Sequence, residues 1–308
     1  MATFSFQFDF HVPQQHNDEI DAEGREVTTT STGVVSEPII SINYTAPSAA
    51  DISHCCEVRC PAFLSRAIDT FEYETLDVSQ DTVFRKLVLR CSPDIATATG
   101  AIVATEGTDL IPGVYEGGFK VWECSIDISR ILCDAFNGVM SYPPRTMLEL
   151  GCGTAIPGII AMMKHDSISE AVLTDFNKDV LERATWPHVL LNLPVEKHSR
   201  VQCIAGDWIA ASQTPDLLQG RSFDLILSAE TLYNRECCIK LFRMIEQHLE
   251  PNGVAIVASK RYYFGVGGGT FDMINLCSLP ASSLQLERLT FYEDAQSNIR
   301  DVLKLTKK

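Results

Sequence analysis

Between residues 146 and 260 the chain alternates two textures. Short, nearly continuous apolar runs cover 146–150, 171–175, 201–205, 223–228 and 254–259. Such runs read as strands buried on both faces. The stretches between them, 157–164, 179–192 and 235–249, repeat apolar residues every three or four positions and read as helices. The last closes at Glu250-Pro251-Asn252-Gly253, a stop and turn. Upstream, 124–136 has helical spacing. Downstream come a helix near 271–276 and two strand candidates, 284–292 and 302–305. Alternation of this kind predicts right-handed crossovers and a mostly parallel sheet with helices on both faces. Seven strands ending in such a pair suit one antiparallel insertion.

The pattern weakens before residue 110. Residues 51–109 are mixed, with helical spacing at 62–68 and alternation at 82–89, and read as an extension that caps the domain or shapes its entrance. Residues 1–50 hold seven acidic residues against a single basic one, Arg25, plus the run Thr28-Thr29-Thr30-Ser31-Thr32, the signature of a disordered acidic tail. Within it, Phe4, Phe6, Phe8 and Phe10 alternate as a docking strand would. The regular domain is expected over 110–308.

Composition narrows the function. The 308 residues are 45% hydrophobic and 21% charged, enough for a real core. A net charge of -15 argues against a sequence-independent grip on nucleic acid and suits a basic protein partner. No apolar run reaches the roughly 18 residues a membrane span needs. Met1 to Phe10 lacks a basic leader and carries Asp9, so no secretory signal is expected. Eleven cysteines without regular pairing point to reduced thiols. The cluster His54-Cys55-Cys56 with Cys60 has no second ligand pair at zinc spacing, so no metal site is expected.

In a parallel sheet, ligands collect beyond the carboxyl ends of the strands. The first strand runs into Glu149-Leu150-Gly151-Cys152-Gly153-Thr154 and then a helix with Pro157 in its first turn. Gly151 and Gly153 allow a sharp bend and a ligand against bare backbone. Glu149 discriminates between ligands, since a carboxylate in the turn repels a pyrophosphate and can pair with a cation. The ligand read from this turn is S-adenosylmethionine. Asp175, in Thr174-Asp175-Phe176-Asn177, lies where a ribose-binding acid is expected; a helix cap is the plainer role. Gly206-Asp207-Trp208 ends the third strand, with Asp207 a candidate acceptor for the adenine amino group and Trp208 a cover for the ring. Ser228-Ala229-Glu230-Thr231-Leu232-Tyr233-Asn234 ends the fourth, where the methyl group would leave. After the fifth, Lys260-Arg261-Tyr262-Tyr263-Phe264-Gly265-Val266 leads to Gly267-Gly268-Gly269, read as a mobile lid or a plain linker. Trp122 is either an apolar wall beside the sulfonium or a core tryptophan.

Four of these segments together resemble the protein-histidine N-methyltransferases: 117–124, the Glu-Leu-Gly-Cys-Gly turn, 228–233 and 258–269. The resemblance covers about residues 109–308. It implies a seven-β-strand, Rossmann-like methyltransferase using S-adenosylmethionine, acting in cytoplasm and nucleus on the τ nitrogen of one histidine in a large-subunit ribosomal protein, a basic partner. It carries cofactor contacts onto Trp122, Glu123, Cys124, Ser125, Ile126, Gly151, Asp175, Phe176, Asn177, Gly206, Asp207, Trp208 and Ser228, beside Glu149 and Gly153 of the turn. The chain is expected to be a monomer.

For catalysis, an imidazole nitrogen already holds a lone pair once the other nitrogen carries the proton. Glu230, with Tyr233 or Asn234, is the candidate acceptor for that far N–H. Transfer to lysine, a dinucleotide-dependent dehydrogenase (disfavoured by Glu149) and a non-catalytic ribosomal-protein escort are the competing readings.

Overall fold

The computed structural model describes residues 47–64, 68–88, 115–263, 267–293 and 299–308. The aromatic alternation at 4–10 and the threonine run lie outside the described residues, as do 65–67 of the expected helix at 62–68.

The central sheet is built from strands buried on both sides. Its first strand, here β4 (Thr146–Leu150), has no residue after Thr146 more than 1% exposed. On one side it pairs in parallel with β5 (Glu170–Asp175), which pairs with β6 (Val201–Ala205). On the other it pairs with β7 (Phe223–Ala229), which pairs with β8 (Leu249–Lys260). The chain therefore reverses its direction of travel at β4 and β7, leaving a crevice beyond their carboxyl ends. Right-handed crossovers then place α3 (Ile156–Lys164) and α4 (Trp186–Asn192) on one face, and α5 (Trp208–Gln213) and α6 (Arg235–His248) on the other. The helix α2 (Glu123–Asp134) packs with α3, and α7 (Thr270–Cys277) with α6.

Two expectations about the sheet are corrected. Among the described residues it has eight strands, in the order β1 (Cys56–Glu57), β6, β5, β4, β7, β8, β10 (Arg300–Lys307) and β9 (Leu284–Tyr292). The additional strand is β1 (Cys56–Glu57), which follows α1 (Ala49–His54) and pairs antiparallel with the edge of β6. The antiparallel insertion is the last strand, β10 (Arg300–Lys307), wedged between β8 and β9 (Leu284–Tyr292) and antiparallel to both. Antiparallel strands are thus two, β1 and β10. A two-residue strand has no periodicity to read; it exists because the exposed edge of β6 accepts it. The 51–109 segment also forms a hairpin, β2 (Tyr73–Ser79) and β3 (Thr82–Leu87). It docks on α4: the Leu87 amide donates to His188 Nε2 at 3.0 Å and the Arg85 amide to Asn192 Oδ1 at 2.7 Å.

Two helix readings also change. The stretch 179–192 is not uniform, because Leu181–Thr185 is one turn of π-helix ahead of α4. Pro187 has no amide hydrogen and its ring crowds the carbonyl four residues back, so the wider turn accommodates it. At the other break, α6 ends at His248 and β8 begins at once. Glu250-Pro251-Asn252-Gly253 is an excursion inside the strand, since pairing jumps from Phe223–Leu249 to Leu225–Val254.

Candidate active site

The carboxyl ends of β4, β5, β6 and β7 border a cleft of about 230 Å³. Its floor is the glycine turn. Gly151 and Gly153 have φ of 71° and 50°, and Ala155, which opens α3, has 56°. A Cβ on Gly151 would lie 2.6 Å from Thr231 Cγ2, and one on Gly153 would lie 2.9 Å from the Gly118 carbonyl oxygen. Both positions need glycine for conformation and for space. The turn is tied down by the π-helical residue Thr185, whose hydroxyl donates to the Gly153 carbonyl at 2.6 Å. Gly151→Ala is expected to cost about 1–3 kcal/mol of stability and to weaken cofactor binding. Urea melts and calorimetry check this, and wild-type values in both would contradict it.

Two acids hold the turn from within. Asp175 is 4% exposed; its carboxylate accepts from the Gly153 amide at 2.9 Å and the Asn177 amide at 3.0 Å. Burial pushes its pKa to about 6, against the pull of those two amides. Glu149 is 1% exposed and accepts from the Gly158 amide in the first turn of α3 at 2.9 Å. Burial pushes it to about 8. The expected pairing with a cation is not the bond it makes. Instead it fills an anion-attracting helix start with the protein's own carboxyl, which leaves that amide closed to a phosphate.

These shifts give stability a pH slope. Glu149 and Asp175 bind protons in the folded protein at pH values where the unfolded chain has released them. Stability therefore falls as pH rises from about 4.5 to about 8, by roughly 3–5 kcal/mol for Glu149. Glu149→Gln, which keeps an acceptor for Gly158, should flatten most of the slope in urea midpoints of the cofactor-free protein. A midpoint indifferent to the substitution would refute it.

At the far end, Asp207 caps α5 by accepting from the Ile209 and Ala210 amides at 2.9 and 3.1 Å, while its other oxygen meets Lys240 Nζ at 2.8 Å. Lys240 also meets Glu236 at 2.8 Å. The helix cap weighed as the plainer role of Asp175 is made instead by Asp207, read as an acceptor for the adenine amino group. Trp208 lines the same end and Phe176 is 40% exposed at its edge, so flat rings are available to an adenine.

At the near end stands Glu230, 8% exposed and left-handed at φ 57°. That conformation costs on the order of 1–3 kcal/mol for a residue other than glycine. Glu230 borders the cleft, and its carboxylate is held by residues outside the lining: Cys124 Sγ donates to Oε1 at 3.1 Å and the Tyr263 hydroxyl donates to Oε2. Tyr233 donates to Glu116, and Asn234 caps α6 by accepting from the Cys237 amide at 2.8 Å. Trp122 also lines the cleft, with Lys120 Nζ 4.4 Å and Lys260 Nζ 5.7 Å from its ring centre.

The cleft thus brings together Trp122, Ser125, Glu149, Gly151, Gly153, Asp175, Phe176, Gly206, Asp207 and Trp208 with Glu230, Tyr233 and Asn234. Glu123, Cys124, Ile126, Asn177 and Ser228 are not on its surface. Ser228 is fully buried and donates to the Leu150 carbonyl at 2.8 Å, while Asn177 accepts from the Glu116 amide at 3.0 Å. Lining residues that sequence reasoning missed include Glu116, Lys120, Thr231, Cys237 and Lys240. Of the glycines read as a lid, Gly268 and Gly269 are wedged against backbone: a Cβ there would lie 2.4 Å from the Leu232 carbonyl and 2.3 Å from the Arg261 carbonyl. Residues 264–266 lie outside the described residues.

A family model described as lysine methyltransferase matches residues 113–264. The histidine protein methyltransferase 1 homolog of Dictyostelium discoideum is 41% identical over 201 residues, 65% of this chain and 61% of its own. That of Bos taurus is 33% identical over 189 residues, 53% of this chain and 48% of its own. Over these residues the chain is similar to the histidine protein methyltransferases of both organisms. It spans about three fifths of the Dictyostelium relative and about half of the bovine one. Among solved structures, the ribosomal protein L11 methylase of Lactobacillus delbrueckii subsp. bulgaricus aligns with 77% of this chain and 100% of its own at 16% identity and a TM-score of 0.45, a distance at which the likeness bears on nothing further.

The cleft fits S-adenosylmethionine, the methyl donor read from the glycine turn. Bare backbone at Gly151 and Gly153 admits close approach, and Asp175 has lone pairs left for ribose hydroxyls. Trp122, whose ring already attracts two ammonium groups, is a surface a sulfonium would also prefer.

Proposed function

We propose that the protein methylates the τ nitrogen of a histidine in a large-subunit ribosomal protein. Glu230 carries this reading, as a strained residue that presents a hydrogen-bonded carboxylate at the near end of the cofactor cleft. Each of its oxygens accepts one protein donor and keeps a lone pair. It accepts the N–H of the target imidazole's far nitrogen, which leaves the attacking nitrogen unprotonated. The bound cofactor supplies a methyl group activated by its positively charged sulfur. As the new N–C bond forms and the old S–C bond breaks, charge develops on the imidazole. Glu230 faces that charge and takes the far proton. Asn234 is committed to the α6 cap and Tyr233 to Glu116, so they shape the wall. Holding the two reactants aligned contributes about 7–11 kcal/mol of barrier lowering.

The relatives' names support histidine as the acceptor. The net charge of -15 supports a basic partner and no direct grip on nucleic acid. Among the described residues no helix is long and apolar enough to cross a membrane. We place the protein in cytoplasm and nucleus as a monomer, from the resemblance. Lysine is the second reading, favoured by the description of the family model. Incubation of the protein with isotope-labelled S-adenosylmethionine and unmethylated large-subunit ribosomal proteins, followed by mass spectrometry, tests both. Label on a histidine τ nitrogen is the expected result; label only on lysine, or none, would overturn it.

A further inference from the structure

Glu230 is held by residues from elements far apart in the chain. Cys124 lies in the first turn of α2 and donates to one carboxylate oxygen. Tyr263 lies beyond the end of β8 and donates to the other. Ser259 Oγ lies 2.8 Å from the Tyr263 oxygen. Because the tyrosine's only hydrogen goes to Glu230, Ser259 must be the donor of that pair, so the relay runs Ser259 to Tyr263 to Glu230. Burial and the neighbouring carboxylate push the Tyr263 pKa far up, which keeps the hydroxyl a donor. The backbone supports the same arrangement. The Glu230 amide donates to the Ala258 carbonyl at 2.9 Å, and the Gly269 amide to the Leu232 carbonyl at 2.7 Å, so both ends of the loop that carries Tyr263 are pinned to the Glu230 turn.

We infer that Tyr263, backed by Ser259, is a positioning residue that orients the Glu230 carboxylate toward the acceptor imidazole. A carboxylate on a two-torsion stem in a left-handed turn has no rotamer imposed by its backbone neighbours alone. With one oxygen held by Cys124 and the other by Tyr263, the plane of the group is fixed and one lone pair on each oxygen is left for the substrate. A thiol is a weak donor; the phenol does most of the holding. The inference rests on the reading of Glu230 as the acceptor for the far N–H.

Tyr263→Phe keeps the ring and its packing and removes only the donor. Methyl transfer to the recombinant large-subunit ribosomal proteins should slow in kcat by about ten- to hundredfold, the weight of a hydrogen bond to a charged group. KM and cofactor affinity by calorimetry should stay within twofold. In a Glu230→Gln background the same substitution should add nothing, because residues acting through one another are not additive. If Tyr263→Phe slows Glu230→Gln as much as it slows the wild type, the tyrosine acts independently and the inference falls while the role of Glu230 stands. If Glu230→Gln itself transfers methyl at the wild-type rate, the underlying reading falls. An acceptor-free measurement separates the cases further. The infrared difference between the wild type and Tyr263→Phe should contain a carboxylate stretch that vanishes when Glu230 is Gln; its absence would overturn the contact.

Discussion

Replacing Asp175 by alanine should weaken S-adenosylmethionine binding at least tenfold, about 1.4 kcal/mol, and lower stability as well. The two effects share one cause. The carboxylate accepts from the Gly153 and Asn177 amides, so it shapes the turn, and it keeps lone pairs for the ribose hydroxyls of the proposed ligand. Alanine leaves both amides buried without partners, at about 1–3 kcal/mol each. Asp175→Asn separates the roles. Its single carbonyl oxygen satisfies one amide while its NH2 group faces the other, so it should fall between the wild type and alanine in urea stability. Calorimetric binding by Asp175→Ala equal to wild type would refute the assignment. So would wild-type stability, because the two amides would then have found other partners.

Glu230→Gln should reduce single-turnover methyl transfer by ~10²- to 10⁴-fold, the range for a positioned proton acceptor. Cofactor affinity should change little, since the glycine turn and its tie to Asp175 are untouched. Glutamine preserves volume and one acceptor, and it replaces the other with a donor that opposes the Tyr263 hydroxyl or the imidazole N–H. Glu230→Gly provides the structural control. It removes the acceptor and relieves the left-handed strain, so it should be inactive yet not less stable on account of the backbone. An unaltered single-turnover rate in Glu230→Gln would remove the residue from the mechanism.

Much of the sheet was legible because its signals are local. Each parallel strand is a run of apolar residues a few positions long, and Gly151, Gly153 and Asp175 occupy fixed offsets from strand ends, so the turn announces itself. The misreadings have a common origin. Strand β1 has two residues and no period of its own; its pairing is specified by the free edge of β6, more than a hundred residues away. The π-turn before α4 answers to Pro187 and to the need of Thr185 to reach Gly153. Glu250-Pro251-Asn252-Gly253 reads as a terminator everywhere, yet here β7 recaptures the chain on both sides of it.

The same division runs through the site. Residue chemistry along the chain was enough to point to a cationic, nucleoside-bearing methyl donor and to mark an acid at the end of the fourth parallel strand, because the turn that follows each strand is built from neighbours in sequence. What each carboxylate bonds to was decided only by folding. Glu149 closes on a helix amide in place of a cation, Asp207 is shared between a helix start and Lys240, and Glu230 is clamped by a thiol and a phenol from opposite flanks. A hydrogen bond depends on distances of a few tenths of an ångström between groups far apart along the backbone, and no periodicity of the chain encodes them.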